Sequence, residues 1–201
     1  MDEFITTSKE FDLDLAFTGA SKKALAQIPD EDLGTMLSEA KFWEKDLKEW
    51  IQYIRNDELL FCPELVRSAQ VVTMGLQFTD DSTIAALNSS WRCKPETTDV
   101  LSFAVFDEDI YMSGCQFIEL GDIVVSVTRA EQQAQQQNHS LLHELRWLVS
   151  HGLLHLLGWD HPTAEKLNEM IGCQEQLLGV EGNLEKIEKK NVQLDETSRK
   201  T

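Results

Sequence analysis

The fold turns on "SLLHELRWLVSHGLLHLLGWDH", Ser140–His161. Ser140 is a cap-type residue ahead of a long apolar run and Gly158 is a stop signal, so the stretch predicts a buried helix over 140–158. Residues four apart on a helix lie about 40° apart around its axis, so His151 and His155 project side by side. Gly158 tolerates the left-handed conformation that ends a helix, and the chain then turns back so that His161 reaches the same point. Three neutral imidazoles with one coordination position left over is the arrangement of a catalytic zinc. A structural zinc would want a fourth protein ligand, usually sulfur. Zinc is the expected metal, although imidazole also suits nickel, copper and iron. His139 and His143 read as surface or partly buried helix residues. His143 falls about 80° around and two turns from His151, too far for a fourth ligand. Asp160 reads either as an acceptor for an imidazole N–H or as a cap of the turn.

The spacing His-x3-His-x5-His matches HExxHxxGxxH of one class of zinc peptidases, except that Gly152 stands where those enzymes have glutamate. That glutamate takes the proton from water at the metal. Glycine cannot, so peptide hydrolysis by that route is disfavoured. What remains is a metal acting as Lewis acid, helped by a cation placed elsewhere. A cation over an oxyanion spread across several oxygens suits phosphoryl chemistry, and the planar fork of arginine serves it better than lysine. From Pro95 to Thr128 there is no lysine or arginine and there are seven acids, so any phosphate contact falls to Arg92, Lys94, Arg129, Arg146 or Lys166. By composition alone Arg92 is a surface arginine.

The remaining numbers bound the class. The chain has 201 residues, 42% hydrophobic and 26% charged, which fits one globular domain. No apolar run reaches the roughly 18 residues needed to span a bilayer. The acidic start "MDEFITTSKEFDLDL" shows neither a basic n-region nor an apolar h-region, so a cytoplasmic location is expected. Cys62, Cys93, Cys115 and Cys173 form no CxxC pair and read as free thiols. The net charge of −17 opposes indiscriminate nucleic-acid binding, which needs a basic footprint, but leaves room for a local basic cleft.

Strands are expected at 10–17, 69–78, 98–106 and 119–127, and helices at 30–56, 79–91, 128–138, 140–158 and 163–178. The first helix has Asp30 as its cap, the second ends near Asn88, and "DEDIYMSGCQ" is a loop. The expectation is one mixed α/β domain over 1–180 and a polar tail, 181–201.

Three segments carry a family resemblance. "HGLLHLLGWDH" resembles the HGxLHLxGxDH signature of the YbeY family of rRNA-maturation endoribonucleases. "LNSSWRCKPETTDVLSF" (87–103) resembles that family's LNxxYRxxDxPTDVLSF segment, and "ELGDIVVS" its LGDIxIS strand. With the connecting helices they cover about 75 to 178. The resemblance implies an α+β fold: a small mixed β-sheet packed with about five to six helices, including a zincin-like metal helix. It places the family core at 69–180 after an extended N-terminal part, 1–68. It implies a zinc-dependent, single-strand-specific endoribonuclease of 16S rRNA 3′-end maturation and ribosome quality control. One Zn2+ would be held by His151, His155 and His161, with Arg92 and His155 catalytic and Arg92 holding the phosphate. Implied partners are ribosomal RNA and the small ribosomal subunit, with a ribosomal protein or assembly GTPase as a further candidate and no membrane. Pro95 and Thr97 stand where the family has aspartate and proline, so a changed loop after Arg92 is expected. Trp91 replaces a tyrosine.

Two other readings stand beside this one. A zinc peptidase or small-molecule hydrolase would need Asp99, Asp122 or Asp160 as its base. A non-catalytic ribosome-assembly factor would use zinc mainly to hold its fold.

Overall fold

A computed structural model of the chain describes residues 10–25, 31–94, 96–106 and 116–179. The expected cap Asp30, all of the loop 107–116 but Gln116, Pro95 and the tail 181–201 lie outside them. Four strands form one mixed sheet: β1 (Asp12–Thr18), β2 (Val71–Thr79), β3 (Val100–Ala104) and β4 (Phe117–Ser126). Their order is β1-β2-β4-β3, with β2 parallel to both β1 and β4 and β3 antiparallel to β4. The helices are α1 (Lys22–Leu25), α2 (Glu31–Ser38), α3 (Ala40–Asn56), α4 (Glu64–Ser68), α5 (Asp81–Arg92), α6 (Val127–Gln137), α7 (Leu141–Leu156) and α8 (164–179). The α+β class is as expected; α1 and α4 are additional short helices of four and five residues.

The expected helix 30–56 is two helices. Glu39 is extended (φ −120°, ψ 134°). The carbonyls that a continuous helix would use go to other donors: the Ala20 N–H, from the chain after β1, donates to Leu37 O (2.8 Å) and the Trp43 indole to Met36 O (2.7 Å). The chain leaving β1 therefore breaks the helix by competing for its acceptors.

One face of the sheet carries the main core. Val72, Met74, Leu76 and Phe78 of β2 and Ile118, Leu120, Ile123 and Val125 of β4 pack with Trp43, Leu47, Trp50 and Ile54 of α3 and Leu145, Val149 and Leu153 of α7. The β4 residues change phase after Leu120 because the pairing with β2 shifts there: Thr73 faces Glu119 and Met74 faces Gly121. One extra residue in "ELGDIVVS" thus flips the alternation that a regular strand would keep. The Arg146 Nε donates to Asp46 Oδ2 at 2.8 Å, and its guanidinium lies 5.6 Å from the Trp50 ring centroid, so α7 is tied to α3. The opposite face has a smaller cluster, Ile84, Leu101 and Val124, under α5.

Candidate metal centre

Helix α7 starts where Ser140 Oγ accepts the His143 N–H. It ends in a Schellman motif: Gly158 has φ +88°, its N–H donates to His155 O, and the Trp159 N–H donates to Leu154 O. This turn, read from Gly158 in the sequence, brings His161 back beside the helix. The ring centroids of His151, His155 and His161 lie 4.6, 5.4 and 5.2 Å apart pairwise. One nitrogen from each falls within 4.8 Å of the others, and no carboxylate, thiol or further imidazole among the described residues joins the group.

The hydrogen bonds decide which nitrogens face inward. His155 Nδ1 lies 2.9 Å from Trp159 O, and a carbonyl only accepts, so Nδ1 carries the proton. His151 Nδ1 lies 3.2 Å from Gln174 Oε1. The Gln174 amide is oriented by donating Nε2 to Trp147 O (3.1 Å), so Oε1 is the acceptor there. Both Nε2 atoms are therefore bare lone pairs, and they face each other at 3.1 Å. Burial, first of all, lowers the pKa of both rings, so protonation is not the remedy for this repulsion. A cation between the lone pairs is, and the donor set fits a metal that accepts neutral imidazole.

Gln174, buried at 1% exposure, was missed by the sequence reading. Its signal was there: a glutamine beside Met170, Cys173 and Leu177 on the buried side of α8. Asp160 is resolved as a turn cap, its Oδ1 accepting the His161 backbone N–H at 2.8 Å. His139 and His143 lie outside the cluster, and His139 Nε2 meets the buried Glu144 carboxylate.

Gly152 faces the sheet. A Cβ there would stand 2.8 Å from Ile123 Cγ2 and 3.1 Å from Ser102 Oγ. The place of the peptidase glutamate is thus occupied by the sheet itself. Of the other carboxylates proposed as bases, none joins the histidine cluster. Asp99 accepts from the Val100 N–H (2.8 Å) and Gln133 Nε2 (2.8 Å). Burial pushes the Asp99 pKa up, but these bonds together outweigh it and hold the group ionised. Asp122 Oδ1 lies over Gly75, 1.9 Å from where a Cβ would be.

Of the five cations considered, three have partners. Arg129 Nε sits 3.4 Å from Asp81 and its Nη2 donates to Thr97 Oγ1; Arg146 pairs with Asp46; Lys166 pairs with Glu169 at 2.6 Å. Arg92 and Lys94 are exposed and join no ion pair among the described residues. The helix runs on past Asn88 to Arg92, and ends at Cys93 in the left-handed region (φ 55°). Buried Asn88 donates from Nδ2 to Glu96 O at 2.8 Å, closing the loop that follows. Thr97, where the resemblance expects proline, supplies the hydroxyl that Arg129 grips, so the changed loop has its own anchor.

These elements define a mixed α+β domain carrying a three-histidine cluster able to hold a metal ion on a sheet-packed helix. The family model described as Endoribonuclease YbeY matches residues 35–180. An Endoribonuclease YbeY of Prochlorococcus marinus (strain MIT 9313) is 50% identical over 184 residues, 92% of this chain and 98% of that protein. Another, of Synechococcus sp. (strain CC9605), is 56% identical over 149 residues, 74% of this chain and 89% of that protein. A solution structure from Thermotoga maritima aligns at 22% identity with a TM-score of 0.48, over 85% of this chain and 93% of that one. The chain belongs to the endoribonuclease YbeY family. The matched span begins at residue 35, so α3 lies within it.

Proposed function

We propose that the chain is a zinc-dependent, single-strand-specific endoribonuclease acting in 16S rRNA 3′-end maturation and ribosome quality control in the cytoplasm. Family membership over residues 35–180 carries this reading, and the relatives bear the name Endoribonuclease YbeY. The site supports it: His151, His155 and His161 would hold Zn2+ through neutral imidazoles, and the sheet closes the place of a peptidase base at Gly152. When bound, zinc supplies Lewis-acid polarisation and a lowered pKa for water. Arg92, exposed at the end of α5 and in no ion pair among the described residues, is the cation that would clamp the non-bridging phosphate oxygens and stabilise their developing charge. With Asp99 and Asp160 engaged, the nucleophile is left to the substrate's 2′-hydroxyl or to water activated by the metal. No helix among the described residues is long and apolar enough to cross a membrane. Ribosomal RNA and the small subunit are the proposed partners, with a ribosomal protein or assembly GTPase as a candidate guide.

The test is cleavage of single-stranded RNA spanning the 16S 3′ end by purified, zinc-loaded protein. Arg92→Ala is expected to lower the rate by about 10²–10³, the usual loss for a transition-state charge donor. His155→Ala and chelation should abolish cleavage. Unchanged cleavage in chelated protein, or in both variants, overturns the proposal.

A further inference from the structure

A groove of about 430 Å³ lies beside α7, lined by Asp99, Gln133, Gln137, His143, Glu144 and Trp147 among others. His143, Trp147, His151 and His155 are spaced by four along α7, so they form one continuous stripe on the helix. The first two line the groove and the last two belong to the metal cluster. The groove therefore lies along the same helix as the cluster, and Trp147 of its lining is one turn from His151.

Its lining is wrong for phosphate. None of the described lining residues is a lysine or arginine, and two are carboxylates. Both carboxylates already have partners: Glu144 faces His139, and Asp99 is held by Val100 and Gln133. What the groove offers a ligand is an indole and an imidazole for stacking and a hydrogen-bond acceptor. Gln133 Nε2 donates to Asp99 Oδ2 at 2.8 Å, which fixes the amide orientation. Gln133 Oε1 is left shielded from water with no hydrogen-bond partner. A buried acceptor without a donor is unfavourable, and a ligand N–H removes the penalty once the amide turns Oε1 into the groove.

We propose that this groove is a nucleobase subsite of the nuclease, seating a base near the cleaved linkage and reading its exocyclic amino group at Gln133 Oε1. The inference rests on the endoribonuclease reading and adds to it a base preference. Adenine, cytosine and guanine carry such an amino group and uracil does not, so strands rich in the first three bind better than oligouridine. Stacking on Trp147 contributes for every base alike.

Fluorescence anisotropy of labelled single-stranded RNA hexamers with the zinc-loaded full chain tests this, with strand integrity read on a gel afterwards. The cleanest comparison is oligoadenosine against the same strand built from purine riboside, which lacks only the amino group. Wild type is expected to bind oligoadenosine roughly five- to tenfold tighter, about the worth of one buried hydrogen bond. The Gln133→Met variant should lose that difference, read as the ratio of its own affinities for the two strands. Equal affinities in wild type, or a difference that survives in Gln133→Met, overturns the subsite. Because the first comparison uses wild type alone, a variant that fails to fold does not remove the test. RNA cleavage without the base difference sinks only the subsite; neither binding nor cleavage of any strand sinks the endoribonuclease reading and the subsite with it.

Discussion

Gln174 fixes the tautomer of one metal-facing histidine, and a residue in that role has a measurable effect. Its Oε1 accepts from His151 Nδ1 while its Nε2 is held by Trp147 O, so His151 Nε2 is presented as a lone pair. Gln174→Leu keeps the bulk and removes the acceptor. Zinc affinity, measured by competition with a chromophoric chelator, should fall about 10- to 100-fold, the usual effect of losing such a partner. An unchanged affinity would mean the ring is held by packing alone. Gly152 is the other decisive residue. Gly152→Ala brings a methyl against Ile123 and Ser102, where overpacking costs about 1–3 kcal/mol against roughly 1 kcal/mol gained in helix propensity. Urea unfolding should show a net loss of about 1 kcal/mol. A gain in stability would show that the helix can move off the sheet.

At the scale of the elements, the end of α5 is where local strain meets function. Cys93 holds a left-handed conformation that costs an L-residue about 1–2 kcal/mol, and glycine avoids it at roughly 0.5–1 kcal/mol of extra chain entropy. Cys93→Gly is expected to raise the thermal midpoint slightly, by up to about 1 kcal/mol of stability. If Arg92 acts through a position set by this turn and by the Asn88–Glu96 hydrogen bond, cleavage by the variant stays within a few-fold of wild type. A lowered midpoint would show that the loop draws on the cysteine side chain. The periodicity of α7, its Ser140 cap and its Gly158 stop were all legible, because caps, turns and i, i+4 neighbours depend on residues close in the chain. The break at Glu39 was not, because the groups that take the carbonyls of Met36 and Leu37 include Ala20, which arrives from another element. The phase change in β4 was hidden for the same reason, since register exists only between two strands.

For the molecule as a whole, the clustered histidines make stability depend on pH. Burial lowers the pKa of His151 and His155 in the folded protein, while the unfolded chain binds protons near the ordinary histidine value of about 6.5. Between the two values the unfolded state carries more protons, so stability rises with pH. Chelated protein should therefore keep its full stability above about pH 6.5 and lose part of it as the pH falls from there toward the lowered folded values. Denaturant unfolding at pH 8, 6.5 and 5 checks this. A double variant, His151→Gln with His155→Gln, should show a flatter dependence, and an equal slope would place the effect on other groups. The main core is continuous across α3, the sheet and α7, so chelation should leave a cooperative unfolding transition.

The sequence by itself determined the three-histidine cluster, the helix that carries two of its members and the turn that returns the third. All three follow from helical spacing and from one glycine that accepts a positive φ. It also showed a missing base at position 152, as the bare fact of a glycine. Only the tertiary structure decided why: the helix lies so close to Ile123 and Ser102 that even a Cβ would crowd them. Only the tertiary structure supplied Gln174 from 23 residues away, paired Arg129 with Asp81 and Thr97, and left Arg92 exposed and without an ion pair among the described residues. Those choices depend on which surfaces meet after the chain has packed. Local spacing carries no information about surfaces that come together from distant parts of the chain.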